Sequence, residues 1–191
     1  MIFGIHGTSV SVSEKINKEG FITSISGMSG PGVYFWRYFN EDCYARYLSF
    51  MWWKYSKERG EYNKLGKNTD CCLIAMKLNT TEDKTLDLSH GQIREEVRSL
   101  VNKQLKRIKT SGAKITEPEE ILVSTLYQLF VEKIENYRGV KFDAIISDIS
   151  TPKGSPGKIG RYFGNCGEAV VVLNTSSIEI IASDMVTEYE Y

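Results

Sequence analysis

Met1-Ile2-Phe3-Gly4-Ile5-His6-Gly7-Thr8 opens the chain, and Gly30-Pro31-Gly32-Val33-Tyr34-Phe35-Trp36 follows after a capped helical segment. The first run is a short apolar strand, Met1 to Ile5, that ends on a titratable ring and a flexible backbone. The second is a glycine-punctuated turn feeding an aromatic strand. Glycine lets a ligand approach the backbone closely, and an aromatic ring beside it offers a flat stacking face. Together the two runs predict a pocket for a planar ring with polar edges.

Between them, Ser11 or Ser13 is positioned to cap a short helix through Glu14 to Glu19, closed by Gly20. Phe21 to Ile25 reads as extended, Ser26 to Pro31 as a flexible loop and Val33 to Trp36 as a strand. From Asn40, a fitting N-cap, Tyr44, Tyr47, Leu48, Met51, Trp52 and Tyr55 fall at helical spacing and give a strongly aromatic face. Cys71 to Leu78 is an apolar run of strand length, and Thr85 to Leu88 a second, shorter one. Two helices come next. One opens with Ser89-x-x-Gln92 and should bury Ile93, Val97, Leu100, Val101, Leu105 and Ile108. The other opens with Thr116-x-x-Glu119 and should bury Leu122, Leu126, Leu129, Phe130, Ile134 and Tyr137. Phe142 to Ser147 is a strand, Thr151 to Gly167 a long loop, and Glu168–Leu173 with Ile178–Ala182 a pair of strands that reads as a hairpin about 174–177. No repeat, heptad run or linker divides the chain. The expected architecture is α+β in one domain over residues 1–191: short twisted strands around a cleft, with a helical hairpin inserted at 89–138.

A chain of 191 residues buries a real core without staples. It has no apolar run of spanning length and no basic stretch ahead of an apolar one at the N-terminus, so the expected location is the cytoplasm, with no membrane partner. Cys43, Cys71, Cys72 and Cys166 form no CxxC pair and have no histidine at ligand spacing, so no metal is expected. They read as small buried hydrophobes or idle thiols. Lysine plus arginine number 24 and aspartate plus glutamate 24, which argues against non-specific nucleic-acid binding as the chain's main business. Local patches remain: Lys103, Lys106, Arg107 and Lys109 on one segment read as a solvated helix face, and Lys153, Lys158 and Arg161 lie on another.

His6 is one of two histidines, and alone it reads as well as a satisfied, partly buried imidazole. A dinucleotide-binding glycine fingerprint fails because Gly27, Gly30 and Gly32 have the wrong spacing and no helix follows them. No G-x-S-x-G is present, and Ser89-His90 at a helix start caps rather than reacts.

Taken jointly, His6-Gly7-Thr8, then Gly30-Pro31-Gly32-Val33-Tyr34-Phe35, then Tyr44-Ala45-Arg46-Tyr47 on a helix resemble the first half of an ADP-ribosyltransferase. The similarity is to the diphtheria-toxin-like and poly(ADP-ribose)-polymerase-like branch with its His-Tyr-Glu signature. The glutamate at the start of a late strand is matched by Glu168 in Asn165-Cys166-Gly167-Glu168-Ala169-Val170-Val171-Val172. The match covers residues 2–55 and 140–182 and leaves the helical hairpin without a counterpart.

The resemblance implies a split sheet around an NAD⁺ cleft, with NAD⁺ as co-substrate. Gly7 would meet the nicotinamide carboxamide through its backbone. His6 would bond the adenosine ribose with Thr8 nearby, and Tyr34 and Tyr47 would sandwich the nicotinamide ring. Tyr44 stands where the family often has a serine that bonds the carboxamide. Glu168 would hold the 2′-hydroxyl and stabilise the oxocarbenium-like cation that develops as the nicotinamide–ribose bond breaks. His6, Tyr34 and Glu168 are therefore the expected catalytic set. The loop before Glu168, with Lys153, Lys158, Arg161, Tyr162 and Phe163, would face the acceptor, either a nucleic acid held by phosphate contacts and stacking or a docked protein. The expected activity is a single ADP-ribosyl transfer to a macromolecular acceptor. A small member of this kind resembles the toxin of a toxin–antitoxin or phage-defence pair, with the helical hairpin as a contact surface for a neutralising protein. Two other readings stand beside it: a catalytically silent module that binds NAD⁺ or a partner, and an NAD⁺ glycohydrolase using water. An RNA 2′-phosphotransferase would need more arginine and histidine around the phosphate.

Overall fold

The computed structural model describes residues 1–39, 44–111, 117–155 and 165–189. Among the described residues, seven strands form one sheet in the order β4-β5-β6-β2-β1-β3-β7. They are β1 (Ile2–Ser9), β2 (Val33–Tyr38), β3 (Cys71–Leu78), β4 (Thr85–Asp87), β5 (Ala144–Ser150), β6 (Cys166–Val172) and β7 (Ile178–Val186). Only β4 and β5 run parallel. Four helices, α1 (Val10–Glu19), α2 (Tyr44–Glu58), α3 (Gly91–Thr110) and α4 (Glu119–Arg138), cover the sheet. The α+β class and the helical hairpin follow the expectation. No helix among the described residues is long and apolar enough to cross a membrane.

Side chains alternate across a strand, so the two faces carry different clusters. On one face Ile5, Trp36, Leu73 and Ala169 pack under α2 through Ala45, Leu48 and Trp53. Farther along that face, Ile145, Val171 and Leu86 pack under Val97, Val101 and Val131 of α3 and α4. On the other face Phe35, Met76 and Val170 form a strip, and Ile16 of α1 covers Cys72 and Ile74. Both cysteines are buried as expected, whereas Cys166 is exposed.

Several local expectations are corrected. Ser9, not Ser11 or Ser13, caps α1, its hydroxyl accepting from the Val12 N–H at 3.4 Å. The other two serines are engaged elsewhere: Ser11 accepts from Asn68 N–H, and Ser13 is paired with the Cys72 thiol. Gly20 ends α1 as expected, with φ 84°. Ser89 does not cap α3. It donates to Asp87 at 2.6 Å, and His90 holds the N-cap position without a side-chain bond. Pro118 precedes α4, whose Glu119 is paired with Lys109; Thr116, like Asn40 and Cys43, lies outside the described residues.

In α4 the buried positions are Ser124, Val131 and Glu135, while Leu129 is 55% and Tyr137 91% exposed. Of the expected stripe, Leu126, Phe130 and Ile134 pack against the core cluster, joined by Val123 and Tyr127. The last two strands make no hairpin. β6 pairs with β2 and β5, whereas β7 crosses to the far edge and pairs with β3 over eight positions between Leu78↔Ile178 and Cys71↔Val186.

Candidate functional site

The sheet opens where the two opening motifs meet. β1 and β2 pair only over Phe3↔Tyr38, Gly4↔Arg37 and Ile5↔Trp36. Beyond that point His6 to Ser9 pair with β3 alone, and Val33 and Tyr34 with β6 alone. The Tyr34 carbonyl, which a continuous ladder would pair with main chain, is instead held by the His6 ring at 2.9 Å from Nδ1. A carbonyl only accepts, so Nδ1 carries the proton and Nε2 is left as an acceptor. Burial lowers the pKa of His6 below 6.5, and the bond to Tyr34 opposes that only in part. The ring is therefore a neutral imidazole at neutral pH. Phe21 and Phe35 pack against it at 5.6 and 5.7 Å between centroids.

Gly7 explains how α2 reaches the sheet. A Cβ there would lie 1.8 Å from the Ser49 carbonyl oxygen, so only glycine lets the helix backbone close onto β1. The space expected to admit a ligand at Gly7 is occupied by α2. The helix comes this near because its buried stripe includes the small residues Ala45, Ser49 and Ser56 beside Leu48 and Trp53. Ser49 Oγ lies 2.9 Å from the Ile5 carbonyl and 2.8 Å from that of Ala45. The large aromatic side chains flank this stripe. Tyr34, Tyr44 and Tyr47 all pack against the same cluster. Tyr44 and Tyr47 stack on each other at 5.7 Å and 25°, and Tyr189 leans on Tyr47 at 6.2 Å. Thr8 is buried, and its hydroxyl bonds Tyr62.

Tyr34 is tightly held. Its hydroxyl donates to the Gly30 carbonyl at 2.5 Å and accepts from Ser29 N–H at 2.9 Å. Burial pushes its pKa well above the usual phenol value of 10.0. Its ring leaves no room for a side chain at Gly27, where a Cβ would meet the phenol oxygen at 2.3 Å. The loop that carries these groups is anchored at Gly27 to Ser124 of α4 and at Ser29 to Ser147 of β5. A cleft of about 250 Å³ lies between Gly30-Pro31-Gly32 and the Gln128, Glu132 and Glu135 side of α4. That is below the roughly 300–1,000 Å³ of ordinary small-molecule sites.

Glu168 sits on β6 between Asp148 of β5, its cross-strand neighbour, and Arg37 of β2, with which it forms an ion pair. Alternation puts it on the His6 and Phe35 face, whereas Gly167 and Ala169 point to α2. His6 and Glu168 thus share a face, two strands apart and about 12 Å between Cα atoms on ordinary strand spacings. Tyr34, Tyr44 and Tyr47 lie on the α2 face. The fold brings the expected residues together as two groups on the two faces of β1, β2 and β6, not as one constellation. The loop after β5 springs from the strand ends beside Glu168, closed at its base by Thr151 N–H to the Asn165 carbonyl at 2.9 Å. Lys153 is exposed on it; Lys158, Arg161, Tyr162 and Phe163 lie outside the described residues.

Arg37, Asp148 and the α4 wall of the cleft were not singled out from the sequence. Arg37 carries a signal in retrospect, being the single charge in the aromatic strand Val33–Tyr38. Asp148 carries none without the register. Comparison of the chain with protein-family models, with curated proteins and with solved structures finds no match.

Proposed function

We propose that the protein is an NAD⁺-dependent ADP-ribosyltransferase acting on a macromolecular acceptor. The observation that carries the reading is the fork between β1 and β2, bridged by a neutral His6 whose Nε2 is an acceptor, with the Glu168 carboxylate on the same face. A dinucleotide has two riboses separated by a pyrophosphate, so two polar groups apart on one face suit it better than two in contact. Nε2 accepts from an adenosine-ribose hydroxyl. The carboxylate accepts from the 2′-hydroxyl of the nicotinamide ribose and offsets the positive charge that develops there. The C1′–N1 bond breaks with its electron pair going to nicotinamide, whose ring becomes neutral. An acceptor oxygen or nitrogen then bonds C1′ and gives up its proton to solvent. The tyrosines on α2 lie on the opposite face of the sheet and take no part in this arrangement. A single transfer, and the role as a toxin opposed by a neutralising protein, belong to the same reading.

Labelled NAD⁺ in cell lysate tests it, with wild type beside Glu168→Ala and separate digestion by protease, DNase and RNase. The reading expects label on a macromolecule that is absent with Glu168→Ala, and the digestion that removes it names the acceptor class. Nicotinamide release without labelling would favour the glycohydrolase. NAD⁺ binding with neither would leave a binding module.

A further inference from the structure

Arg37, Glu168 and Asp148 form a row across the strand ends on the His6 face, and Arg94 of α3 reaches the end of it. Arg37 and Glu168 are an ion pair on neighbouring strands, with side chains 25% and 28% exposed. Asp148 stands directly opposite Glu168 in the β5–β6 register, and Arg94 at the start of α3 donates to Asp148 at 2.8 Å. The sequence of charges along the row is Arg94, Asp148, Glu168, Arg37. Like charges directly opposed across two strands are unfavourable, and partly exposed ion pairs recover only about 0–1 kcal/mol. Stability is a weak reason to gather four charges here. What the row does achieve is orientation: each carboxylate has its own arginine, so Asp148 does not compete for Arg37.

The Arg37 bond is to Oε1 of Glu168, and no described residue bonds Oε2. Arg37 itself is held on its other side by the Phe39 ring, with the guanidinium carbon 4.8 Å from the ring centroid. Gly4, its neighbour on β1, cannot take a side chain, because a Cβ there would meet Phe35 at 2.6 Å and Met76 at 2.8 Å. The strip beside Arg37 is therefore kept clear of a further side chain.

Resting on the transferase reading above, we propose that Arg37 is the positioning residue of Glu168: it occupies Oε1 and leaves Oε2 aimed at the ribose hydroxyl of NAD⁺. Arg37 acts through the carboxylate and touches no reacting atom. It fixes the rotamer of the glutamate before substrate arrives, so its contribution falls on the chemical step rather than on binding.

The test is steady-state nicotinamide release by the purified chain, supplied with cell lysate as the source of acceptor, for wild type, Arg37→Met, Arg37→Lys, Glu168→Gln and the Arg37→Met/Glu168→Gln double variant. Arg37→Met should lower kcat roughly 10- to 100-fold, the size of one charge-assisted hydrogen bond, with the KM for NAD⁺ within twofold. Arg37→Lys should recover most of that loss, because a point charge still reaches Oε1. In the Glu168→Gln background Arg37→Met should cost nothing further, since the group it acts through is gone. An unchanged kcat in Arg37→Met, or an equal loss in both backgrounds, overturns the assignment while leaving the transferase reading intact. Wild type that releases no nicotinamide overturns that reading, and this assignment with it. If Arg37→Met melts too low to assay, the comparison of Arg37→Lys with wild type decides: a folded lysine variant as slow as Glu168→Gln contradicts positioning by charge.

Discussion

The His6 imidazole and the Gly7 backbone sit one residue apart and face opposite problems. His6 is half-buried against Phe21 and Phe35, and its pKa is lowered below 6.5 mainly by desolvation. The unfolded chain therefore takes up a proton in a pH range where the folded chain does not, so stability falls as pH drops below about 6.5 and on through the lowered folded value. Melting temperatures between pH 7.5 and 5 should show this slope in wild type and a shallower one in His6→Asn, which keeps a donor for the Tyr34 carbonyl. Equal slopes would mean that the ring is not held neutral. At Gly7 the constraint is steric. With the Ser49 carbonyl 1.8 Å from any Cβ, Gly7→Ala forces α2 off β1. The expected cost is about 3 kcal/mol, at the upper end of overpacking effects, read from denaturant melts. A loss under 1 kcal/mol would contradict the helix placement.

Among the elements, the strands were readable and the helix phases less so. The apolar runs 33–36, 71–78 and 168–173 announce strands locally, and each is found close to its expected bounds. The helix α2 was legible as a helix, yet its buried stripe is not the aromatic one. Ala45, Ser49 and Ser56 face the sheet because Gly7 admits a close helix, a tertiary fact that apolar spacing does not carry. In α4 the same limit appears as Leu129 and Tyr137 turned outward. Two substitutions separate the phases. Val131→Ala should cost about 2 kcal/mol through two buried methyl groups and the space they leave. Leu129→Ser should change stability by no more than about 0.5 kcal/mol. The reverse order in chemical denaturation would restore the stripe inferred from periodicity. Caps at Ser11, Ser13 and Ser89 failed for a related reason: those hydroxyls have partners distant in sequence or in the preceding strand.

For the molecule as a whole, strand order was the part that local sequence withheld. β6 and β7 are joined by a turn of hairpin length, yet they occupy positions separated by β2, β1 and β3. The cross-over follows from which edges remain open: β3 still needs a partner and β6 already has two. That placement puts Glu168 in the middle of the sheet beside β2, the neighbour that supplies Arg37. His6, Tyr34 and Glu168 were singled out jointly through the resemblance, His6 at the end of an apolar strand and Glu168 at the start of a late one. Their separation into a His6–Glu168 face and a tyrosine face was not legible, because it depends on register and on the side chosen by α2.

The measurement that bears most directly on this account is nicotinamide release from NAD⁺ by the purified chain, compared with Glu168→Gln at equal concentration and with matched melting temperatures. The account expects release by wild type, with acceptor present, and a fall of about 10²- to 10³-fold in the variant, the usual loss on removing a group aimed at developing charge. Equal release by the two proteins, or none from wild type in the presence of lysate, would contradict it.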